Sequence, residues 1–389
     1  MVPRAGRGRG EEDLIWYDSQ GAIDFGGADA MVYYVNARNR AFWLSDMKAI
    51  CDLQKRAADM LQTSQYPTFF KLRSLLREAE CLNQIAPKPL SADETKREQQ
   101  VIANALALLP IIGADSDIPA QDMIDQLGDI GDLSTTIEND RSIYFNLADQ
   151  ILKKSMKNRS LLLTLEGNFQ VAYAKDARGG DFNGDFLDGN PETFNKRMDK
   201  AKELLEQAWA LDAQNSNAAA ERILVAQGLG EPRDVMERWF GRAIAADPDN
   251  ITAYQNKMGY LAAQGDQGKK EAIEFGGECL RTQRWNTPIP GLLLDQYTSI
   301  NPEGLTAEEL QKPEVWAIVK KIYQGYIAVH QRSNAWRTRY AISAARGGYW
   351  ADADYQLKQL GSDFSLIHIT QSDYDAIKKE VADHMVKAH

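Results

Sequence analysis

The sequence contains few residues that hold metals or form disulfide frameworks. Its three cysteines, Cys51, Cys81 and Cys279, are widely spaced and form no CxxC or Cys/His grouping. This spacing indicates neither a disulfide framework nor a zinc site, so we expect buried thiols. The four histidines lack the spacing of an HExxH motif or of a ligand pair on one helical face, and we interpret them as surface residues. They are His330, His368, His384 and His389.

Basic charge and long apolar runs are also scarce. The net charge of −10 and the isoelectric point near 5.1 argue against a polyphosphate partner, so we expect no nucleic acid. The longest apolar stretch, residues 101–113, contains Asn104 and Pro110 and is shorter than the roughly 20 residues that cross a bilayer. The sequence has no GxSxG, P-loop or GxGxxG motif. We therefore expect no membrane span, no enzyme and no cofactor.

The N-terminal residues 1–13 are rich in glycine and arginine, and we expect a disordered arm there. We divide the rest into an N-terminal helical region, residues 14–135, and a helical repeat domain, residues 136–389. The opening residues lack the apolar core of a secretory signal. The default location is therefore cytoplasmic, or secreted or periplasmic if a signal was removed.

Apolar residues recur at steps of three and four along most of the chain, which predicts helices throughout. We expect a helical hairpin around Tyr66-Pro67 and a helix that opens with a capping box at Ser91 and ends at Pro110 and Gly113. The acidic run 114–133 reads as a connecting loop with one short helix. Residues 135–138 have the spacing of a further capping box, which would open the next helix.

A repeat occupies residues 190–250. Ala201, Leu205 and Ala208 correspond to Met236, Phe240 and Ala243, since 236 − 201 = 35 and 243 − 208 = 35. A period near 34 with paired helices and a closing Asp-Pro is typical of tetratricopeptide (TPR) repeats. Ala272 and Cys279 fall at equivalent places of a third unit. The pattern predicts an all-α fold of helical hairpins stacked as a TPR-like α-solenoid, with an irregular helical N-terminal region.

Four segments carry a family resemblance. They are residues 177–180 (ARGG), residues 202–212 (KELLEQAWALD), residues 236–243 (MERWFGRA) with DPDN at 247–250, and residues 340–361 with GYWADAD at 348–354. Together they make residues 160–380 resemble a bacterial domain family of unknown function with TPR-like helices. The resemblance implies architecture and transfers no catalytic residue.

Tryptophan and arginine provide the candidate partner-binding residues. Six tryptophans recur near helix contacts, and each is either core or part of a peptide groove. Arginines near some of them could bind an acidic peptide end, although ion pairs within the helices are an alternative. The candidates are Arg238, Arg242, Trp285, Arg337 and Arg339.

Residues 181–192 fit a calcium loop in part. Asp181, Asn183, Asp185 and Glu192 occupy positions 1, 3, 5 and 12, but Phe186 replaces the glycine of position 6. The alternative is a polar loop that caps the helix beginning at Pro191.

These patterns favour a non-enzymatic scaffold that binds a protein partner or assembles with itself. The alternatives are a structural subunit of a larger complex, and a metal-dependent enzyme or calcium-binding protein that uses the 181–192 loop.

Overall fold

The computed structural model describes residues 19–26, 28–40, 47–85, 90–179, 189–300, 305–331, 334–361, 364 and 369–387. Every regular element in these ranges is a helix, which confirms the predicted all-α class. The first eleven long helices are α1 (Ala30–Arg40), α2 (Met47–Gln62), α3 (Thr68–Ile85), α4 (Ala92–Ala114), α5 (Ala120–Glu138), α6 (Ser142–Ser155), α7 (Arg159–Arg178), α8 (Pro191–Leu211), α9 (Ser216–Gly228), α10 (Arg233–Ala246) and α11 (Ile251–Ala262). The remaining α-helices are α12 (Gly265–Arg281), α13 (Leu292–Ile300), α14 (Ala307–Gln311), α15 (Pro313–Val329), α16 (Asn334–Arg346), α17 (Trp350–Leu360) and α18 (Gln371–Lys387).

The chain forms two compact units. Of the described residues, the larger unit contains 28–37 and those from 47 to 269, and the C-terminal unit contains 19–26, 38–40 and those from 270 onward. The domain border expected at residue 135 stays a prediction.

The helical hairpin α2–α3 lies in the larger unit. It confirms the break predicted at Tyr66-Pro67. It brings Cys51 and Cys81 to a Cα–Cα distance of 5.4 Å, where they form a disulfide. The expectation of free thiols is therefore wrong for this pair, because residues far apart in sequence become neighbours when two helices of a hairpin pack. Cys279 is a buried thiol, as expected.

Two expectations about the next helices are wrong. Helix α4 opens with the predicted capping box at Ser91 but continues through Pro110 to Ala114, because its apolar face, with Leu109 and Ile112 buried, continues past the proline. Residues 115–119 of the acidic run connect α4 to α5 as expected, but residues 120–133 belong to the 19-residue helix α5 and not to a loop with one short helix. Its apolar residues keep helical spacing and are buried together: Met123, Ile124, Leu127, Ile130 and Leu133.

The capping box expected at residues 135–138 is also wrong. These residues form the last turn of α5, which ends at Asn139 in the left-handed conformation (φ 55°). Asparagine tolerates the left-handed conformation better than most residues, so Asn139 can end α5. Residues 135–138 therefore do not begin the next helix. Helix α6 begins at Ser142.

Helices α3–α7 share one apolar core, which includes Leu75, Val101, Leu127, Phe145 and Leu162. At the edge of this core, Arg97 on α4 forms ion pairs with residues of two other helices. Its guanidinium lies 2.7 Å from Glu78 Oε1 on α3 and 2.6 Å from Asp59 Oδ1 on α2. Burial raises the pKa of Glu78 even though Arg97 opposes that shift.

Asparagine caps several helices of the repeat region. Asn190, Asn215 and Asn250 each accept a hydrogen bond from the backbone two or three residues into α8, α9 and α11. Asn215 also donates to Ser160 Oγ (2.8 Å) and Thr164 Oγ1 (2.9 Å) on α7. Asn250 likewise donates to Ser216 Oγ (2.9 Å) on α9. Asn215 and Asn250 therefore each link their own helix to the helix two places earlier in the chain.

The C-terminal unit has its own apolar core, built on α14–α18. Trp316, Tyr323, Tyr340, Leu357 and Tyr374 are buried in it. Trp316 Nε1 donates to Asp352 on α17, and Lys320 pairs with the same carboxylate at 2.8 Å. An added Cβ at Gly276 would come within 2.8 Å of Leu293, so the close packing of α12 and α13 requires glycine there.

Candidate functional site

Two neighbouring helices of the larger unit, α8 and α10, form a surface of two tryptophans and one arginine. The Trp209 and Trp239 rings meet edge to face with centroids 6.0 Å apart. The Arg242 guanidinium lies over both rings, 4.3 Å from the Trp239 centroid and 5.7 Å from the Trp209 centroid. Trp239 is 5% exposed, whereas Trp209 and Arg242 are half-buried. We call Trp209, Trp239 and Arg242 the α8–α10 platform.

A buried ion-pair network lies behind this platform. Arg222 on α9 is 1% exposed and lies on the Trp239 ring at 5.6 Å. Its guanidinium donates to both carboxylate oxygens of Glu231 (2.6 and 2.9 Å) and to Glu206 (2.9 Å). Burial alone would raise the pKa of Glu231, but Arg222 and Lys202 reverse that effect and hold it below its usual value. The Arg222 charge is therefore neutralised inside the fold.

The two predicted arginines of α10 differ in their partners. Arg238 is exposed and pairs with Asp234 one turn earlier at 3.3 Å. Arg242, one turn later, contacts the two indole rings, and no residue that the structure describes accepts a hydrogen bond from it or pairs with its charge. The structure thus holds the Arg242 guanidinium in place while leaving its N–H donors available.

The C-terminal unit contains a similar arrangement. The Trp336 ring on α16 stacks on Tyr326 of α15 with centroids 4.2 Å apart, and the Arg339 guanidinium lies 5.2 Å from the Trp336 centroid. Arg339 also lacks a hydrogen-bond acceptor or a carboxylate partner within the described part of the chain. We call Tyr326, Trp336 and Arg339 the α15–α16 platform.

Trp285 extends this second platform. Its ring meets Tyr326 edge to face at 5.4 Å, and it occupies the space that a side chain at Gly325 would need. Its carbonyl oxygen lies 3.3 Å from His330 Nε2. The structure therefore places two predicted residues, Trp285 and Arg339, in one cluster. Tyr326 and Trp336 lie between them, a grouping that the sequence analysis did not predict.

Arg337 does not belong to that cluster. It hydrogen-bonds Gln356 Oε1 on α17 at 3.1 Å. Residues 337 and 339 project from different sides of a helix, so the sequence spacing alone separates them.

A small polar cavity between α3 and α5 was missed by the sequence reasoning. Its volume is about 160 Å³, and Arg77, Glu80 and Asp129 are among its lining residues. Arg77 Nη2 lies 3.3 Å from Asp129 Oδ2. Burial raises the pKa of Asp129 to about 6, because Arg77 only partly offsets it and Glu80 adds to it. Because the sequence analysis predicted a connecting loop with one short helix at residues 114–133, it did not place Asp129 on a long helix opposite Arg77.

Most of the predicted calcium loop, including Asp181, Asn183 and Asp185, lies outside the described residues. The hypothesis of a calcium site therefore stays a prediction. Glu192 is exposed in the first turn of α8. Asn190 caps α8 and Pro191 begins it, which confirms the predicted helix start. Among the residues that the structure describes, no group of three His, Cys, Asp or Glu side chains could hold a metal ion.

A wider groove of about 860 Å³ lies beside the ends of α7 and α8. Its charged groups are engaged with each other. Arg141 pairs with Asp176 at 2.7 Å and also with Asp132, and Arg197 stacks on the Tyr173 ring at 3.2 Å. These two arginines of the groove are therefore already engaged within the fold.

None of the described helices has the length and apolar character needed to cross a membrane. No family model and no curated protein matches the sequence of this chain.

Proposed function

We propose that this chain is a scaffold that binds another protein through its tryptophan–arginine platforms, without catalysis. The observation that carries the proposal is the pair of half-buried arginines, Arg242 and Arg339, which lie over indole rings and have no carboxylate partner among the residues that the structure describes. Tryptophan, tyrosine and arginine dominate the binding energy of protein interfaces because they combine a large apolar area with directed hydrogen bonds. A stacked arginine has also lost part of its conformational freedom before binding.

We propose a TPR-like array for the helices that carry the α8–α10 platform. The asparagine caps of α9 and α11 support it, since 250 − 215 = 35 matches the period read from residues 201–243. The packing of α9 supports it as well, because α9 contacts α7 and α8 before it and α10 and α11 after it. A stacked array of this kind offers an extended binding surface. The resemblance of residues 160–380 to a bacterial family with TPR-like helices remains part of this proposal.

The test is chemical cross-linking of the tagged full-length chain in its native cells, followed by mass spectrometry of the captured proteins. We expect Trp209→Ala or Trp336→Ala to lose a captured protein, because each substitution removes the ring under an arginine. Tyr355→Ala is the matched control, since Tyr355 is 57% exposed and lies in neither platform. Capture of another copy of the chain would identify self-assembly as the activity. Retention of every captured protein by both tryptophan variants would refute the platforms as binding surfaces.

We also infer that the scaffold works in an oxidising compartment. The Cys51–Cys81 disulfide supports this, because structural disulfides persist in secreted and periplasmic proteins and are rare where thiols are kept reduced. This favours the exported location over the cytoplasmic default.

Alkylation followed by mass spectrometry tests the compartment. In protein taken from its native cells and denatured without reductant, we expect the Cys279 thiol alone to react, and Cys51 and Cys81 to react only after reduction. Alkylation of Cys51 and Cys81 without reductant would contradict the inference.

A further inference from the structure

We infer that the α8–α10 platform recognises carboxylate groups on an acidic segment of the partner protein. This inference rests on the proposed scaffold function and specifies the chemistry of the partner at one surface. It follows from three features of Arg242: how its guanidinium is held, which donors remain free, and how much charge surrounds it.

The first feature is the way in which the guanidinium is held. It lies 4.3 Å from the Trp239 centroid, and Trp239 is held by packing at 5% exposure. A cation over an indole face is attracted by the ring quadrupole. This attraction uses the charge of the guanidinium and not its N–H groups, which remain donors for a planar acceptor.

The second feature is the absence of an internal acceptor. No described residue accepts a hydrogen bond from Arg242. Arg222, on the same Trp239 ring, is satisfied by Glu206 and Glu231, and Arg238 is paired with Asp234. Within the described part of the chain, Arg242 therefore differs from Arg222 and Arg238 in having no carboxylate partner. A planar carboxylate matches the guanidinium fork and accepts two parallel hydrogen bonds from it.

The third feature is the amount of free charge. Because Arg222 and Arg238 are neutralised, the platform presents a single uncompensated positive charge. Recognition of a phosphate dianion usually involves a cluster of arginines, whereas one arginine matches a carboxylate monoanion. The half-buried Trp209 ring beside it provides an apolar contact for the side chain next to that carboxylate. We therefore expect glutamate or aspartate next to an apolar residue in the partner segment.

The experiment measures fluorescence anisotropy of a labelled peptide that alternates glutamate and leucine, with the glutamine–leucine peptide as the uncharged counterpart. The protein is the full-length chain. We expect the glutamate peptide to bind about tenfold more tightly than the glutamine peptide. Arg242→Ala should remove this difference. Arg242→Lys should retain little of it, because lysine keeps the charge but loses the planar fork.

Arg238→Ala is the matched control, one turn away on the same helix, and we expect it to change the affinity by less than about twofold. Circular dichroism establishes that each variant is folded, and the lysine variant serves if the alanine variant unfolds. Competition with acetate and with inorganic phosphate identifies the anion class, and acetate should compete at least as well as phosphate.

The outcomes separate the inference from the scaffold proposal. Equal binding of the two peptides, unchanged binding by both Arg242 variants, or stronger competition by phosphate would overturn the carboxylate assignment. The scaffold function would remain supported if the wild-type chain captures a protein and substitution of Trp209 or Trp336 abolishes that capture. If the glutamate peptide displaces a captured protein and the glutamine peptide does not, both proposals gain support.

Discussion

Asp129 carries a charge that the fold compensates only in part. It lines the cavity between α3 and α5, where Arg77 is 3.3 Å away and Glu80 is close to the same arginine. Because burial raises its pKa from 3.8 to about 6, the folded chain binds a proton that the unfolded chain releases between these values. The stability contribution of this group is therefore most favourable below pH 4 and is lost as the pH rises through 6.

Asp129→Asn should remove this pH dependence. An amide has no proton to lose, so the difference in unfolding free energy between the variant and the wild type should change by up to about 3 kcal/mol between pH 4 and pH 7. Urea unfolding at a series of pH values measures it. Asp117→Asn, at an exposed position, is the control and should parallel the wild type. Equal pH dependence in the wild type and Asp129→Asn would show that Asp129 titrates normally.

At the scale of elements, the asparagine caps do more than begin helices. Asn215 accepts from Ala218 N at the start of α9 and donates to Ser160 and Thr164 on α7. Both hydroxyls already donate elsewhere, Ser160 to the Ala208 carbonyl and Thr164 to the Ser160 carbonyl. They are therefore left as acceptors toward Asn215, which requires an N–H group at this position.

Asn215→Asp separates the two roles. Aspartate is as good a cap as asparagine but cannot donate, and its charge would face two oxygen atoms. We expect a loss of about 2 kcal/mol of stability, measured by thermal or urea unfolding. Asn190→Asp is the matched control, because Asn190 caps α8 in the same way at an exposed position, and its effect should stay below about 0.5 kcal/mol. An Asn215→Asp variant with unchanged stability would show that the hydrogen bonds between α7 and α9 contribute nothing to the free energy of unfolding.

At the scale of the whole molecule, the net charge opposes the binding proposed for the α8–α10 platform. The chain carries −10, so an acidic segment is repelled at distance and attracted only near Arg242. Salt screens charges separated by more than about 10 Å at 0.1 M and affects close contacts less.

The association rate of the glutamate–leucine peptide should therefore increase as ionic strength increases from low to physiological values. Stopped-flow fluorescence measures this rate, and the glutamine–leucine peptide should show little change. A rate for the glutamate peptide that falls with salt would reveal net attraction and would contradict the expected repulsion.

Local sequence signals determined much of this molecule. Spacing of apolar residues predicted an all-α chain, and cap chemistry placed helix starts after Ser91 and at Pro191 that the structure confirms. These signals are readable because a helix closes its hydrogen bonds among near neighbours and its caps lie within a few residues. The same reasoning failed at Pro110 and in residues 114–133, where burial of an apolar face outweighed a proline and a run of acidic residues.

The sequence predicted only part of the candidate site. The sequence identified arginines near tryptophans, but Arg238 and Arg242, with the same residue type and one turn apart, were equal candidates. Arg238 pairs with Asp234 one turn earlier on the same helix, whereas only the tertiary structure decided that Trp209 and Trp239 lie together beside Arg242. The tertiary structure likewise decided that Cys51 pairs with Cys81 and that Asp129 is partly buried beside Arg77. Charge compensation, burial and covalent pairing depend on residues distant in the chain, so packing of the helices had to bring them together before they could be assigned.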